Sequence, residues 1–417
     1  MWRLAWVVIS LMASVSFPEG VGAVEIRAWQ FHAPDWGYVR RVLAKTAEYD
    51  INTVVFSHEI VGFVSELYDG SDRADSLRAV AEDARSRGLR VWIWLHELEH
   101  DVPSAFLNDG VVDFDNPALW TWLDEKYERL FNDFPAFDGI QLTFSQTPYP
   151  LFDNLKVRSP LSVADRFARL INALATVCDR HEKDLVVRSF LGEPEQLEWF
   201  RQAIGQAPPD VMVQSKCVPF DWQPFFPHNP LLGAFPERRQ VVEFDCSSEY
   251  TGKNRIPYTS PEYFQRRWRY AEKQPGVIGY NARLDHGGYD ALFTPNEINL
   301  YSLKRLTADD IWSAWAVDRY AGAAVDVVAA LKPTFEAVNL AVFPVGFWVS
   351  DHSTLPSPAY AGESIPLRST AKWRPDEPEW VELEEMLTAP DTTFIERLLA
   401  EKDRSISLSD ELLDHLA

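Results

Sequence analysis

At 417 residues the chain is longer than an ordinary single domain, yet it fits one large α/β barrel with an extension. Its formal net charge of -22 argues against nucleic acid and anionic membrane surfaces as partners, because phosphate binding needs positive patches; a small anionic ligand needs only a few local cations and stays open. Three cysteines are too few for a disulfide scaffold, and their spacing fits no zinc motif.

In chain order, residues 1–23 have the pattern of a secretory leader. Arg3 supplies a positive start, the apolar stretch 4–17 is too short for a comfortable membrane span, and Val21-Gly22-Ala23 is a small-residue cleavage site. The pattern predicts an exported protein, secreted or periplasmic, with no membrane insertion after cleavage. Apolar runs then alternate with helical patterns. Strands are predicted over 25–31, 53–56, 90–95, 139–144, 185–190, 211–213, 241–244 and 277–281. Helices are predicted over 36–49, 73–87, 117–131, 163–181, 195–204, 263–273 and 296–306. This rhythm makes a parallel sheet, and eight strands close a (β/α)8 TIM barrel over 24–333. Beyond it, Pro344, Pro356, Pro358 and Pro366 punctuate an irregular stretch. Helical patterns over 377–388 and 393–416 form a C-terminal helical extension. The second carries Ile395, Leu398, Leu399, Ile406, Leu408, Leu412 and Leu413 as the face expected to pack, on the barrel or on a partner subunit.

In a parallel barrel the carboxyl ends of the strands form one rim, and chemistry sits there. Lys216 and Asp221 follow the sixth strand and Glu249 the seventh, so two carboxylates and a lysine should converge. Carboxylate pairs are the working parts of glycoside hydrolysis. The blander alternative is that Asp221 and Glu249 only cap loops. Arg188 and Lys216 suit an anionic substrate group, one as a planar fork and the other as a point charge; a salt bridge to Asp221 or Glu249 is their structural alternative. Trp222 is placed to stack on a sugar. The remaining strand ends add His32, His58, His96, Glu97, Gln146, Asn281 and Arg283 as substrate-binding candidates. The histidines raise the question of a metal. However, the HELEH of residues 96–100 is not the helical HExxH signature, and neither metal nor cofactor is expected.

The pieces VQSKCVPFDWQP, NPLLGAF, VVEFDCSSEYTG and NEINLYSLKRL resemble the α-glucuronidases of glycoside hydrolase family 67. VVRSF and FDGIQLTFSQ are similar more weakly. The resemblance implies a barrel over roughly residues 25–320 that acts on a glycan bearing a uronate. It places Asp221 and Glu249 on the carboxylates that activate water in an inverting attack, and Arg188 and Lys216 around the uronate. The family's general-acid glutamate has no match, since that position reads Ser145-Gln146. Glu59, Glu97 and Glu99 are alternative acids. Two further readings stay open on the same pocket: a uronate lyase or dehydratase, and a sugar-binding protein without turnover. The oligomeric state is not legible.

Overall fold

The structure is a computed structural model and describes residues 24–347, apart from 69 and 307, and residues 370–416. The leader pattern and Pro356, Pro358 and Pro366 lie outside the described residues. Eight parallel strands close a barrel: β1 (Ile26–Phe31), β2 (Thr53–Phe56), β3 (Arg90–His96), β4 (Gly139–Thr143), β5 (Asp184–Arg188), β6 (Met212–Lys216), β7 (Gln240–Asp245) and β8 (Val277–Arg283). Each strand pairs with its sequence neighbour, and β8 closes on β1 from Ile26↔Gly279 to Gln30↔Arg283. Closure requires a glycine at 279, where a Cβ would stand 2.0 Å from the Ile26 carbonyl oxygen. The sixth and eighth strands run further toward the rim than the apolar pattern predicts. Their last inward positions hold polar groups that find partners inside the barrel.

The outer ring is α1 (Trp36–Leu43), α2 (His58–Val61), α3 (Asp72–Ser86), α4 (Pro117–Asp133), α5 (Val163–Arg180), α6 (Pro194–Gly205), α7 (Pro261–Ala271) and α8 (Glu297–Lys304). Local chemistry sets several ends. Asp35 accepts from the Tyr38 N–H at the start of α1, and Asn116 caps α4 with Pro117 at its first position. The helix expected over 36–49 stops at Leu43 and resumes as a 3-10 turn, Thr46–Tyr49; the Thr46 hydroxyl bonds back to the Leu43 carbonyl at 2.8 Å. Among the described residues, the β6–β7 connection 217–239 contains no helix.

The core has two parts. Between strands and helices runs one large apolar cluster that includes Trp29, Phe31, Tyr127 and Trp315. Inside the barrel, Ile26, Ala28, Val55, Trp92, Trp94, Val186, Met212 and Val241 fill the lower layers. Period-two alternation then carries the last three strands toward charge as they rise: Met212–Gln214–Lys216 on β6, Val241–Glu243–Asp245 on β7, and Gly279–Asn281–Arg283 on β8.

After α8 come α9 (Ile311–Tyr320), α10 (Ala324–Leu331) and α11 (Thr334–Val342), then α12 (Pro378–Thr388) and α13 (Thr392–Leu416). The sequence pattern did not resolve α9–α11. The packed face of α13 is built on Phe394, Ser405 and Leu408, with Leu398 and Leu412 half-buried. Ser405 bonds the Ala337 carbonyl of α11 at 2.8 Å. Ile395, Leu399, Ile406 and Leu413, expected on the packing face, are exposed instead. The extension braces the loops after β6 and β7. Gln223 donates to the Gly346 carbonyl and to Thr370, Arg374 donates to the Phe225 carbonyl at 2.7 Å, and Tyr258 donates to Asn339 at 3.1 Å.

Candidate active site

Four amides form a floor beneath the rim. The Asn281 amide donates to Gln30 at 3.0 Å, Gln214 at 3.2 Å and Gln141 at 3.4 Å, and all four residues are fully buried. Asn281 therefore supports the site from below and is not a substrate contact. Arg188 is in register with Gln214, one side-chain layer below Lys216. Its guanidinium grips both oxygens of Glu243, at 2.6 and 2.9 Å, and lies over the rings of Trp94 and Phe190 at 4.6 and 5.0 Å. Burial pushes the Glu243 carboxyl up, but the attraction and hydrogen bonds of Arg188 outweigh it and hold the group below its ordinary value. The planar fork expected to meet a substrate anion is thus spent inside the protein. Glu243 escaped the sequence reading because it sits within the apolar run VVEF, where an inward carboxylate leaves no outward signal.

The layer above holds two ion pairs. Lys216 donates to Asp221 Oδ1 at 2.7 Å, and Tyr250 donates to Asp221 Oδ2 at 2.9 Å. Arg283 donates to Glu249 Oε2 at 2.7 Å. Trp222 links the pairs, with the Lys216 ammonium 4.4 Å and the Arg283 guanidinium 5.5 Å from its ring. Lys216 lies also 3.9 Å from the Phe190 ring, and burial lowers its ammonium despite the attraction of Asp221. Asp221 and Glu249 keep only 9% and 8% of their surface exposed, so each is a largely desolvated carboxylate beside a cation. The loops that carry them are fixed from behind. Asp245 accepts the Glu249 N–H at 3.0 Å, and burial pushes its carboxyl up to about 6. Asp285 accepts the N–H groups of His32 and Ala33 at 2.9 and 2.6 Å, and burial pushes it up to about 7. Neither Asp245 nor Asp285 stood out in the sequence as a support.

The ends of β1–β3 contribute an imidazole cluster. His58 and His96 stack at 4.4 Å with 20° between planes, His32 stands 6.1 Å from His58, and Trp94 packs at steep angles 4.5 to 5.6 Å from all three rings. Burial holds His32 and His58 well below the usual imidazole value, with Arg283 adding to both and neighbouring His96 to His58. Among the described residues no group of three or more His, Cys, Asp or Glu side chains is placed to hold a metal ion.

The alternative acids separate cleanly. Glu97 is fully buried, paired with Lys126 at 3.0 Å and bonded by the Tyr127 hydroxyl. It is part of a structural ion cluster with Asp101 and is not a substrate contact. Glu99 lies 3.6 Å from His96 Nδ1. Glu59, on α2 at the rim, is exposed on one side, and the protein packed around its other side raises its carboxyl; Arg283 opposes that and Glu249 reinforces it. Gln146 is exposed in a left-handed conformation (φ 58°), and its carbonyl, not its side chain, meets His96 Nδ1 at 3.2 Å. The three cysteines are free and buried.

A closed parallel barrel whose rim gathers two carboxylates, cations and a tryptophan is the architecture of the barrel glycoside hydrolases. The chain belongs to glycosyl hydrolase family 67: residues 41–272 match the middle domain of that family. The probable alpha-glucuronidase A of Aspergillus flavus is 22% identical over 230 residues, which cover 52% of this chain and 25% of that protein. The alpha-glucuronidase of Hypocrea jecorina is 23% identical over 198 residues, covering 44% and 22%. The matched region is thus about a quarter of the length of these relatives. Among solved structures, a family 89 glycoside hydrolase from Clostridium perfringens superposes with a TM-score of 0.53 at 10% identity, covering 84% of this chain and 47% of that one; this likeness is one of fold.

Proposed function

We propose that this protein is an exported hydrolase that removes a uronic acid unit from an oligosaccharide by inverting attack of water. The observation that carries the reading is the paired arrangement Lys216–Asp221 and Arg283–Glu249 around Trp222. Each acid is held in place by a hydrogen bond from a cation, in position to take a proton from water. Lys216 and Arg283 each give one hydrogen bond to its acid and keep further N–H groups for a uronate, the role from which Arg188 is withdrawn by both oxygens of Glu243. Water adds at the anomeric carbon, the glycosidic C–O bond breaks, and the departing oxygen takes a proton. Gln146 cannot give that proton. Glu59 is the replacement: it stands on the β2 side, opposite β6 and β7 in the strand order, and partial desolvation, with Glu249 adding to it, raises its carboxyl. The family match and the names of the relatives support the uronate substrate, and the leader pattern of residues 1–23 supports export.

The test is release of free uronic acid from a panel of uronate-bearing oligosaccharides, with the anomeric configuration followed by NMR. Asp221→Asn and Glu249→Gln should abolish release, and Glu59→Gln should slow it by roughly 10²–10⁴-fold. No release by the wild type across the panel overturns the reading. A second reading, sugar binding without turnover, draws on Gln146 at the acid position. It requires that Asp221→Asn leave ligand affinity unchanged and that no wild-type turnover exist.

A further inference from the structure

We propose that Asp245 is a positioning residue for Glu249: its ionised carboxylate latches the loop that carries Glu249, and a proton on one of its oxygens opens the latch and sets the acid limit of turnover. This rests on the hydrolase reading above, in which Glu249 faces water and substrate, and adds the group that controls its placement.

Asp245 ends β7, four residues before Glu249. Its carboxylate collects three donors from that short loop. Oδ1 accepts the Ser247 N–H at 3.0 Å and the Ser247 hydroxyl, and Oδ2 accepts the Glu249 N–H at 3.0 Å. The grip holds a strained backbone. Ser248, directly before Glu249, is left-handed at φ 54°, a conformation that a residue with a Cβ keeps only where its surroundings impose it. Loosening the bonds on either side of Ser248 frees it to return to negative φ. That turn carries the Glu249 side chain away from Arg283, its partner at 2.7 Å.

A protonated carboxyl cannot make the same three bonds. Two donors share Oδ1 and one uses Oδ2, so the proton goes to Oδ2 at the smaller loss and there opposes the Glu249 N–H. Two charged groups bear on Asp245: Arg283 on β8 favours the ionised form, and Glu249 opposes it. Cys217 beyond β6, Cys246 and Tyr258 also feel its charge, and burial raises all three, so they stay neutral. The Asp245 carboxyl sits at about 6, above an unfolded value of about 3.9. The latch is therefore shut at pH 8 and opens as pH falls through about 6. Asp245→Asn puts an NH2 group where that proton goes and mimics the open form.

The experiment measures kcat and KM from pH 4.5 to 8 on a uronate-bearing oligosaccharide that the wild type cleaves. Crystal structures of the wild type at pH 5 and 8, and of Asp245→Asn at pH 8, accompany it. The wild-type kcat should fall through an acid limb at about 6. Asp245→Asn should lose that limb and have kcat lower by roughly 10- to 100-fold at pH 8 with KM within about threefold, the signature of a misplaced reacting group. Ser247→Ala removes a hydroxyl that favours the ionised form and should move the limb to higher pH. The Glu249–Arg283 pair should be closed in the wild type at pH 8 and open in the other two crystals. The inference is overturned if Asp245→Asn keeps the wild-type kcat, if the limb at about 6 is missing from the wild type or persists in the variant, or if the pair is closed in all three crystals. Should Asp245→Asn not fold, an unmoved limb in Ser247→Ala overturns it. A wild type without turnover on any substrate counts against the hydrolase reading, and the crystals still decide on the latch.

Discussion

Replacing Arg188 with methionine separates a substrate contact from a structural one. The side chain is 3% exposed and donates to both Glu243 oxygens, so Arg188→Met leaves a buried carboxylate with the Gln214 amide at 3.0 Å in place of a guanidinium. Breaking a buried pair from one side costs about 3–5 kcal/mol, because the other charge stays uncompensated. Lys216 and Arg283 also attract Glu243, which places the expectation at the low end, about 3 kcal/mol. In a chain of this size that is a fall in Tm of roughly 3–5 °C. Arg188→Met/Glu243→Met removes the stranded charge and should recover most of the loss. The pH dependence should change as well. In the wild type the Glu243 carboxyl is lowered, so its contribution is full above the unfolded value of about 4.3 and is lost as pH falls through the lower folded value. Without the guanidinium, burial dominates and raises the folded value above the unfolded one. The variant should then gain stability as pH falls from neutral toward about 4.3. Urea unfolding of the four proteins of this double-mutant cycle, repeated at several pH values, measures both effects. An Arg188→Met protein that unfolds within 1 kcal/mol of the wild type, about the size of an exposed pair, or a double variant as unstable as the single ones, would refute the buried pairing.

The carboxyl of Asp285 sits near 7 in the folded protein, above its unfolded value, so the folded state binds the extra proton. Stability from this group is therefore greatest below its unfolded value and declines as pH rises through about 7; Asp285→Asn should flatten that part of the Tm-against-pH curve. The three thiols are buried, and burial pushes all of them up, Cys217 to about 11. None should react with a thiol reagent in the native protein at pH 8, and three should react after unfolding in urea. Lys126 bridges Glu97 at 3.0 Å and Asp101 at 2.8 Å in a buried cluster. Lys126→Met should lower thermal stability by several degrees at neutral pH and leave sugar affinity within twofold by calorimetric titration. A selective loss of sugar affinity would return Glu97 to the site.

The barrel was legible because its signal is local and repeated. Short apolar runs alternating with amphipathic helices can satisfy their backbones and bury their faces in few ways, and eight strands leave little choice but closure. The two acids and Lys216 were legible for the same reason, since a residue just past a parallel strand must stand at the rim. The extension was less so. The turns of α9–α11 carry mixed apolar patterns, and α13 has apolar residues on two sides, so periodicity alone did not say which side packs.

By itself, the sequence determined the number and order of the strands and the placing of two carboxylates and Lys216 at one rim. Only the tertiary structure decided how the charges are shared. Glu243 comes from a strand two places away in the barrel and takes the guanidinium of Arg188; Arg283, from the last strand, meets Glu249; Lys126, on a helix, takes Glu97 away from the site. The reason is physical: a charge in a low-dielectric interior is committed to whichever opposite charge the fold brings within about 3 Å, and residues far apart along the chain become such neighbours only when the barrel closes.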